Sequence, residues 1–147
     1  SASGHLQRFN VHGRTQAPAG RAVIAVTLID SSAWIHSLRP RGNPEVTERV
    51  RFLLETGAAA WCPLIKLELW NGARGEHEKR VLRDMARDLP ELDIDRAVWR
   101  ASYELARKAR KSGITVPATD LLIAACARRH GVGIEHDDEH LLTLTAL

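Results

Sequence analysis

The sequence has 147 residues, 44% of them hydrophobic and 27% charged, which is typical of one domain with a single core. A formal net charge of +3 is weak support for a polyanionic partner. No apolar run approaches the roughly 20 residues of a membrane span, and the first 20 residues do not resemble a secretory signal. Two cysteines, Cys62 and Cys126, are too few for a disulfide framework and make a poor zinc site. We therefore expect reduced thiols in a cytoplasmic protein without a membrane anchor.

The chain opens with an irregular segment followed by a strongly apolar one. Residues 1–20 are rich in Gly, Ser, Pro, Gln and Asn, and we expect a disordered or loosely docked extension there. Residues 22–29 (AVIAVTLI) are apolar and mostly β-branched, which is typical of a strand covered on both faces. The sequence thus predicts one folded domain over residues 21–147 that opens on a buried strand.

Helices and short strands alternate through the rest of the chain. A helix is expected between Asn43, which can cap it, and Gly57, and a helix over residues 64–73 follows the break at Pro63. The other predicted elements are helices over 33–38, 76–88, 95–111 and 119–130, strands over 58–62 and 132–135, and a linking strand or turn over 89–94. This alternation predicts an α/β fold with a mainly parallel sheet and right-handed crossovers.

Four acidic positions from distant parts of the chain follow strands or open helices. Asp30 ends the first strand, and Asp138, or its neighbour Asp137, comes just after the last strand. Glu68 lies on the helix after the second strand, and Asp120 lies in the first turn of a later helix. Because ligands bind at the carboxyl ends of parallel strands, we expect these carboxylates to converge at one edge of the sheet.

Such a cluster of carboxylates predicts a cation site. Like charges raise one another's pKa values, so the cluster either stays protonated or binds a cation. Oxygen ligands suit Mg²⁺ or Mn²⁺, and such an ion can generate a hydroxide nucleophile and stabilise charge on a phosphodiester. The simpler interpretation is that each acid is a solvated surface charge, with Asp120 favouring a helix start beside a capping Thr119. Asp30 fits that interpretation poorly, because an apolar strand seldom runs directly into an acid.

Four segments, in the right order, resemble the sequence blocks of PIN domains, especially the VapC-type toxins of bacterial toxin–antitoxin pairs. These segments are residues 28–35 (LIDSSAWI), 67–74 (LELWNGAR), 117–131 (PATDLLIAACARRHG) and 133–141 (GIEHDDEHL). A single block is weakly specific, whereas the four together are strongly specific. The resemblance extends from about Val23 to the end of the chain and implies a PIN-like three-layer α/β/α architecture.

The resemblance also implies a function and a set of site residues. It implies a metal-dependent endoribonuclease, the toxin of a type II toxin–antitoxin pair, that uses Mg²⁺ or Mn²⁺ to cleave RNA, with tRNA and rRNA as candidate substrates. The implied metal-binding and catalytic acids are Asp30, Glu68, Asp120 and Asp138. Ser32 would hold a carboxylate or a metal-bound water. The implied partners are a VapB-type antitoxin, which blocks the acidic site, and a second copy of the chain in a homodimer.

The last of the four segments departs from the family pattern. The family often reads Asp-x-Asp-Phe there, whereas His140 replaces the second acid in this chain. Asp138 takes the place of the first acid, although the doubled acid leaves Asp137 as an alternative. Solvated or packing roles are expected for His136 and His140 in preference to contacts with RNA.

Two other functions are alternatives to a PIN-type ribonuclease. A phosphatase of the haloacid-dehalogenase type also begins with a strand that runs into an aspartate, but it needs a second carboxylate two residues later, where this chain has Ser32. A non-catalytic binding module with a PIN fold is a further alternative. The presence of all four acids argues against that alternative.

Overall fold

The computed structural model describes residues 25–147, and the expected extension over residues 1–20 lies outside them. Three short strands form a parallel sheet: β1 (Thr27–Ile29), β2 (Ala59–Ala60) and β3 (Gly133–Glu135). Their order is β2-β1-β3, so the first strand of the described chain is central. Leu28 pairs with Ala60 on one side and with Ile134 on the other. The carboxyl ends of all three strands consequently point to the same edge.

Helices connect and cover the strands. In chain order they are α1 (Ser31–Leu38), α2 (Pro44–Glu55), α3 (Pro63–Asn71), α4 (Gly75–Asp88), α5 (Arg96–Lys111), α6 (Ala118–His130) and α7 (Glu139–Thr145). The predicted α/β fold with a parallel sheet is confirmed. Within residues 25–147, no helix is both long and apolar enough to cross a bilayer.

Local sequence signals explain where several helices begin and end. Asn43 caps α2 through its side chain, which accepts a hydrogen bond from the backbone N–H of Glu45 at 3.0 Å. Asp95 caps α5 by accepting from the N–H of Val98 at 2.9 Å. Gly131 ends α6 at a φ of 66°, a left-handed conformation that glycine adopts without a steric penalty.

Helix α6 lies at the centre of the core. Residues 122–127 are buried without interruption, because the helix packs against α5 and also contacts β3, α3 and α7. Trp34 and Trp61, both at most 1% exposed, fill the core beside the sheet. Cys62 and Cys126 are also buried, and neither forms a disulfide. The first turn of α6, which carries Asp120, is thereby fixed relative to the sheet.

The structure differs from the predicted elements at several points. Of the two alternatives predicted for the linking segment over 89–94, a strand or a turn, the strand is absent, and the segment makes one isolated bridge, between Trp61 and Glu91. Thr119 does not cap α6, because the helix begins one residue earlier, at Ala118. Helix α7 was not predicted, and its capping residue is Asp138. The last of these differences matters most, because it fixes the orientation of a candidate site residue.

Candidate metal centre

Asp30 is held rigidly at the carboxyl end of β1. It is 3% exposed, and its backbone N–H donates to the carbonyl of Glu135 at 2.9 Å, which extends the sheet by one more hydrogen bond. Its Oδ2 accepts from both the N–H of Ser32, at 3.0 Å, and the Ser32 hydroxyl, at 2.6 Å. The carboxylate therefore caps α1 with one oxygen, and its position is determined by the strand and by the helix.

The second carboxylate oxygen of Asp30 has a different environment. Oδ1 is buried and has no hydrogen-bond partner among the described residues. A buried carboxylate oxygen without a partner is costly, so such an atom normally has a ligand. A divalent cation would provide this oxygen with a ligand. The unpaired oxygen is therefore the first feature of the site that fits a metal ion.

Asp120 and Asp138 lie together at the same edge. Asp120, 8% exposed, is in the first turn of α6. Asp138 caps α7, and its Oδ1 accepts from the backbone N–H groups of His140, at 2.7 Å, and Leu141, at 3.0 Å. The Nδ1 atom of His140 is 3.5 Å from Oδ2 of Asp120 and 3.7 Å from Oδ1 of Asp138. The three side chains have ligand atoms within 4.8 Å of one another.

Glu68 approaches the cluster from α3. The Ser31 hydroxyl donates to its Oε1 at 3.3 Å, which links α3 to the start of α1. Asp30 and Glu68 do not belong to the compact group formed by Asp120, Asp138 and His140. All four predicted acids are nevertheless close enough to interact electrostatically, because the other three each raise the pKa of Glu68.

The electrostatics of the cluster are those of crowded carboxylates. Burial, followed by the charges of Asp138 and Asp30, raises the pKa of Asp120 from 3.8 to about 6, although the two nearby histidines partly oppose this. Burial is also the main cause of the raised pKa of Glu68, and Asp30 is the next contributor. The ionised acids repel one another, and a bound cation would relieve that repulsion. The donor set of carboxylate oxygens suits Mg²⁺ or Mn²⁺.

The two neighbouring acids of the last segment have different surroundings. Asp138 faces Asp120, whereas the carboxylate of Asp137 lies 2.7 Å from Nε2 of His36. The backbone N–H of Asp137 donates to the hydroxyl of Ser32 at 3.0 Å. Ser32 thus contacts both Asp30 and the segment that carries Asp138, and the geometry favours Asp138 over Asp137 as the fourth acid.

Sequence reasoning did not place histidines in this site. His140 was expected to be solvated or packed, and its side chain is indeed half exposed, but Nδ1 points at two of the acids. The available signal was that His140 occupies the position of the second acid in the family's last block. Nothing in the sequence pattern indicated the contact of His36, because it joins residues 101 positions apart.

Comparison with known proteins gives a consistent result. A family model described as PIN domain matches residues 27–145. A VapC ribonuclease from Mycobacterium bovis is 40% identical over 114 residues, which covers 76% of this chain and 85% of that protein. Ribonuclease VapC21 from Mycobacterium tuberculosis is 31% identical over 107 residues and covers 71% and 78% of the two chains.

Solved structures share the fold at lower sequence identity. The VapBC-5 toxin–antitoxin structure from Mycobacterium tuberculosis matches with a TM-score of 0.62 and 23% identity, covering 82% of this chain and 90% of that one. FitAcB from Neisseria gonorrhoeae matches with a TM-score of 0.62 and 17% identity, covering 82% and 94%. At these identities the likeness concerns the fold.

Proposed function

This chain belongs to the PIN domain family, and from that premise we propose that it is a divalent-metal-dependent endoribonuclease, the toxin of a toxin–antitoxin pair. The observation that carries the proposal is the convergence at one sheet edge of four acids, which lie just after β1, on α3, on α6 and just before α7. The ribonuclease names of its relatives support RNA as the substrate. The net charge of +3, despite a concentrated acidic site, is compatible with a polyanion.

Asp30, Asp120 and Asp138 would hold a Mg²⁺ or Mn²⁺ ion, with Glu68 beside them. When bound, the ion supplies Lewis-acid stabilisation for the charge that develops on a phosphodiester during cleavage. The unpaired Oδ1 of Asp30 and the raised pKa of Asp120 are the features of this chain that fit the ion. The catalytic role of the four acids rests on that fit and on the family pattern.

The other residues of the site orient the acids. Ser32 fixes one oxygen of Asp30 and leaves the other free to act as a ligand. Ser31, at the preceding position, donates one hydrogen bond to Glu68 through its hydroxyl, at 3.3 Å. The backbone of α7 holds Oδ1 of Asp138, so that its Oδ2 remains available. This arrangement sets the acids in place before the ion or the substrate arrives, which reduces the cost of binding either one.

The same site would determine the partners of the protein. Guanidinium groups form paired hydrogen bonds with carboxylates, so a VapB-type antitoxin that inserts an arginine among the acids would block both ion and substrate. The toxin–antitoxin complexes among structures of the same fold support such a partner.

We also propose a homodimer, and exposed apolar side chains such as Phe52, Leu67 and Leu142 are candidates for burial at its interface. With tRNA or rRNA as substrate, the protein would act in the cytoplasm.

Cleavage of RNA by the purified full chain, freed of any bound partner, tests the proposal. Total RNA, tRNA and rRNA are incubated with Mg²⁺ or Mn²⁺, or with EDTA, and the ends of the products are mapped. The wild type is compared with Asp120→Asn and with Asp93→Asn, which alters an exposed aspartate before α5. We expect metal-dependent cleavage by wild type and by Asp93→Asn, and a loss of at least about 100-fold in Asp120→Asn.

Three results would count against the proposal. Cleavage that persists in EDTA, or at an equal rate in Asp120→Asn, would exclude the acidic cluster as its source. A folded wild type that binds Mn²⁺ but cleaves none of these RNAs would favour a non-catalytic binding module with the same fold.

A further inference from the structure

The segment between β3 and α7 is anchored by two side chains from α1. Ser32 accepts the backbone N–H of Asp137 at 3.0 Å, and His36 approaches the Asp137 carboxylate with an Nε2–Oδ2 distance of 2.7 Å. Ser32 and His36 lie one turn apart on the same face of the helix, so they hold Asp137 by its backbone and its side chain. The next residue is Asp138, which faces the acidic cluster.

The His36 ring has its hydrogen-bonding roles fixed by its neighbours. Its Nδ1 is 2.9 Å from the backbone nitrogen of Asn43. A backbone N–H group can only donate a hydrogen bond. Nδ1 must therefore be the acceptor, and Nε2 carries the hydrogen that is donated to Asp137. The tautomer with its hydrogen on Nε2 satisfies both contacts at once.

The loop before α2 keeps His36 in this position. A Cβ built on Gly42 would lie 1.9 Å from the carbonyl oxygen of His36, so only glycine allows the loop to pass so close. The hydroxyl of Thr47 also donates to that carbonyl at 3.2 Å. The histidine is thus held by the loop and by α2, independently of Asp137.

The location of the His36–Asp137 contact indicates that it does not serve mainly to stabilise the fold. The two side chains are 27% and 50% exposed, and exposed pairs of this kind contribute little to stability. Residues that orient metal ligands from outside the ligand set nevertheless alter metal affinity strongly. The effect of this contact should therefore appear in cation binding.

We propose that His36 and Asp137 are positioning residues, whose hydrogen bond holds Asp138 in the geometry that binds the divalent cation. The inference rests on the proposed metal site and adds to it two residues outside the ligand set. Asp137 then has a role distinct from that of its neighbour: Asp138 is the ligand and Asp137 is the anchor. The anchor needs a hydrogen-bond acceptor at Asp137 and does not need its charge.

The test compares the affinity for Mn²⁺, measured from the spin-resonance signal of the free ion, among variants of the full chain. His36→Ala and Asp137→Ala each remove the contact, and the double variant removes both partners. Asp137→Asn keeps an oxygen that can accept from Nε2 of His36. His130→Ala is the matched control, because His130 makes a similar exposed contact, to the carbonyl of Asp93, ten residues and about 15 Å along α6 from Asp120.

We expect His36→Ala and Asp137→Ala to weaken Mn²⁺ binding about tenfold each, and the double variant to be no weaker than either single variant. The Mn²⁺ affinity of Asp137→Asn should stay within about threefold of wild type, and that of His130→Ala should equal wild type. Thermal unfolding in EDTA should be nearly unchanged in all variants, which separates positioning from loss of fold.

Three results would overturn the inference. Equal Mn²⁺ affinity in wild type and the alanine variants would show that the contact does not position the site. Weakening by Asp137→Asn as large as that by Asp137→Ala would show that charge, not the hydrogen bond, is what matters. A folded wild type that binds no Mn²⁺ would instead reject the proposed metal site, and with it this inference.

Discussion

Replacing Asp120 by asparagine should stabilise the metal-free protein while abolishing its activity. Asp120 is 8% exposed, and burial together with Asp138 and Asp30 raises its pKa from 3.8 to about 6. The ionised carboxylate is consequently less favourable in the folded chain than in the unfolded chain. Asparagine has nearly the same shape and no charge, so Asp120→Asn removes that penalty without creating a cavity.

The magnitude and its pH dependence follow from the two pKa values. A rise from 3.8 to about 6 corresponds to about 3 kcal/mol, an upper estimate for the gain from removing the charge. Because the folded pKa is the higher one, the contribution of Asp120 to wild-type stability falls as pH rises from about 4 to about 6 and then levels off. The advantage of Asp120→Asn should be absent below about pH 4 and complete above about pH 6, where it would raise Tm by roughly 6–10 °C.

Thermal and urea unfolding in EDTA at pH 4 and pH 7.5 would measure this difference. Asp93→Asn, at an exposed site, should change the free energy of unfolding by less than about 0.5 kcal/mol. Added Mn²⁺ should stabilise wild type more than Asp120→Asn and narrow the gap between them. If Asp120→Asn were no more stable than wild type at pH 7.5 in EDTA, then the crowding of carboxylates inferred here would be wrong.

Three further perturbations test separate parts of the site. At subsaturating Mg²⁺, the rate of RNA cleavage should increase as pH rises from about 5 to 7, because the ion competes with a proton on Asp120. Saturating Mg²⁺ should move the midpoint of this pH profile to lower pH, and a midpoint independent of Mg²⁺ would contradict the competition. Ser32→Ala removes the hydroxyl that contacts Asp30 and Asp137 and should weaken Mn²⁺ binding at least about tenfold, whereas Ser32→Thr should retain most of it. Gly42→Ala should lower the free energy of unfolding by about 1–3 kcal/mol, since its Cβ would collide with the carbonyl of His36; an unchanged urea midpoint would show that the loop moves freely.

Much of the fold follows from periodicity and helix-end signals. The apolar run that ends at Asp30, the cap at Asn43 and the stop at Gly131 gave strands and helices close to those observed. The strand before Asp30 is only three residues long among the described residues, which a run of apolar residues could not indicate. Helix α7 was not predicted, because it is short and its first residues, Glu139 and His140, are exposed.

In the candidate site, too, some features could be predicted from the sequence and others could not. Asp30, Glu68, Asp120 and the Asp137–Asp138 pair could all be located from their places after strands or in helices, and the family resemblance added that they act together as one metal site. The family pattern preferred Asp138 to Asp137, and the coordinates support that preference with a contact that the sequence did not indicate, between His36 and the carboxylate of Asp137. Long-range contacts of this kind leave no trace in the local sequence pattern.

We propose that Asp30, Asp120 and Asp138 share one divalent cation at the edge of the sheet. Anomalous scattering from a crystal of the full chain soaked in Mn²⁺ would locate the ion directly. We expect one strong peak within about 2.3 Å of carboxylate oxygens of Asp120 and Asp138, and close to the Oδ1 of Asp30 that has no other partner. A peak bound to other residues, or an empty cluster in a crystal that holds Mn²⁺ elsewhere, would contradict the claim.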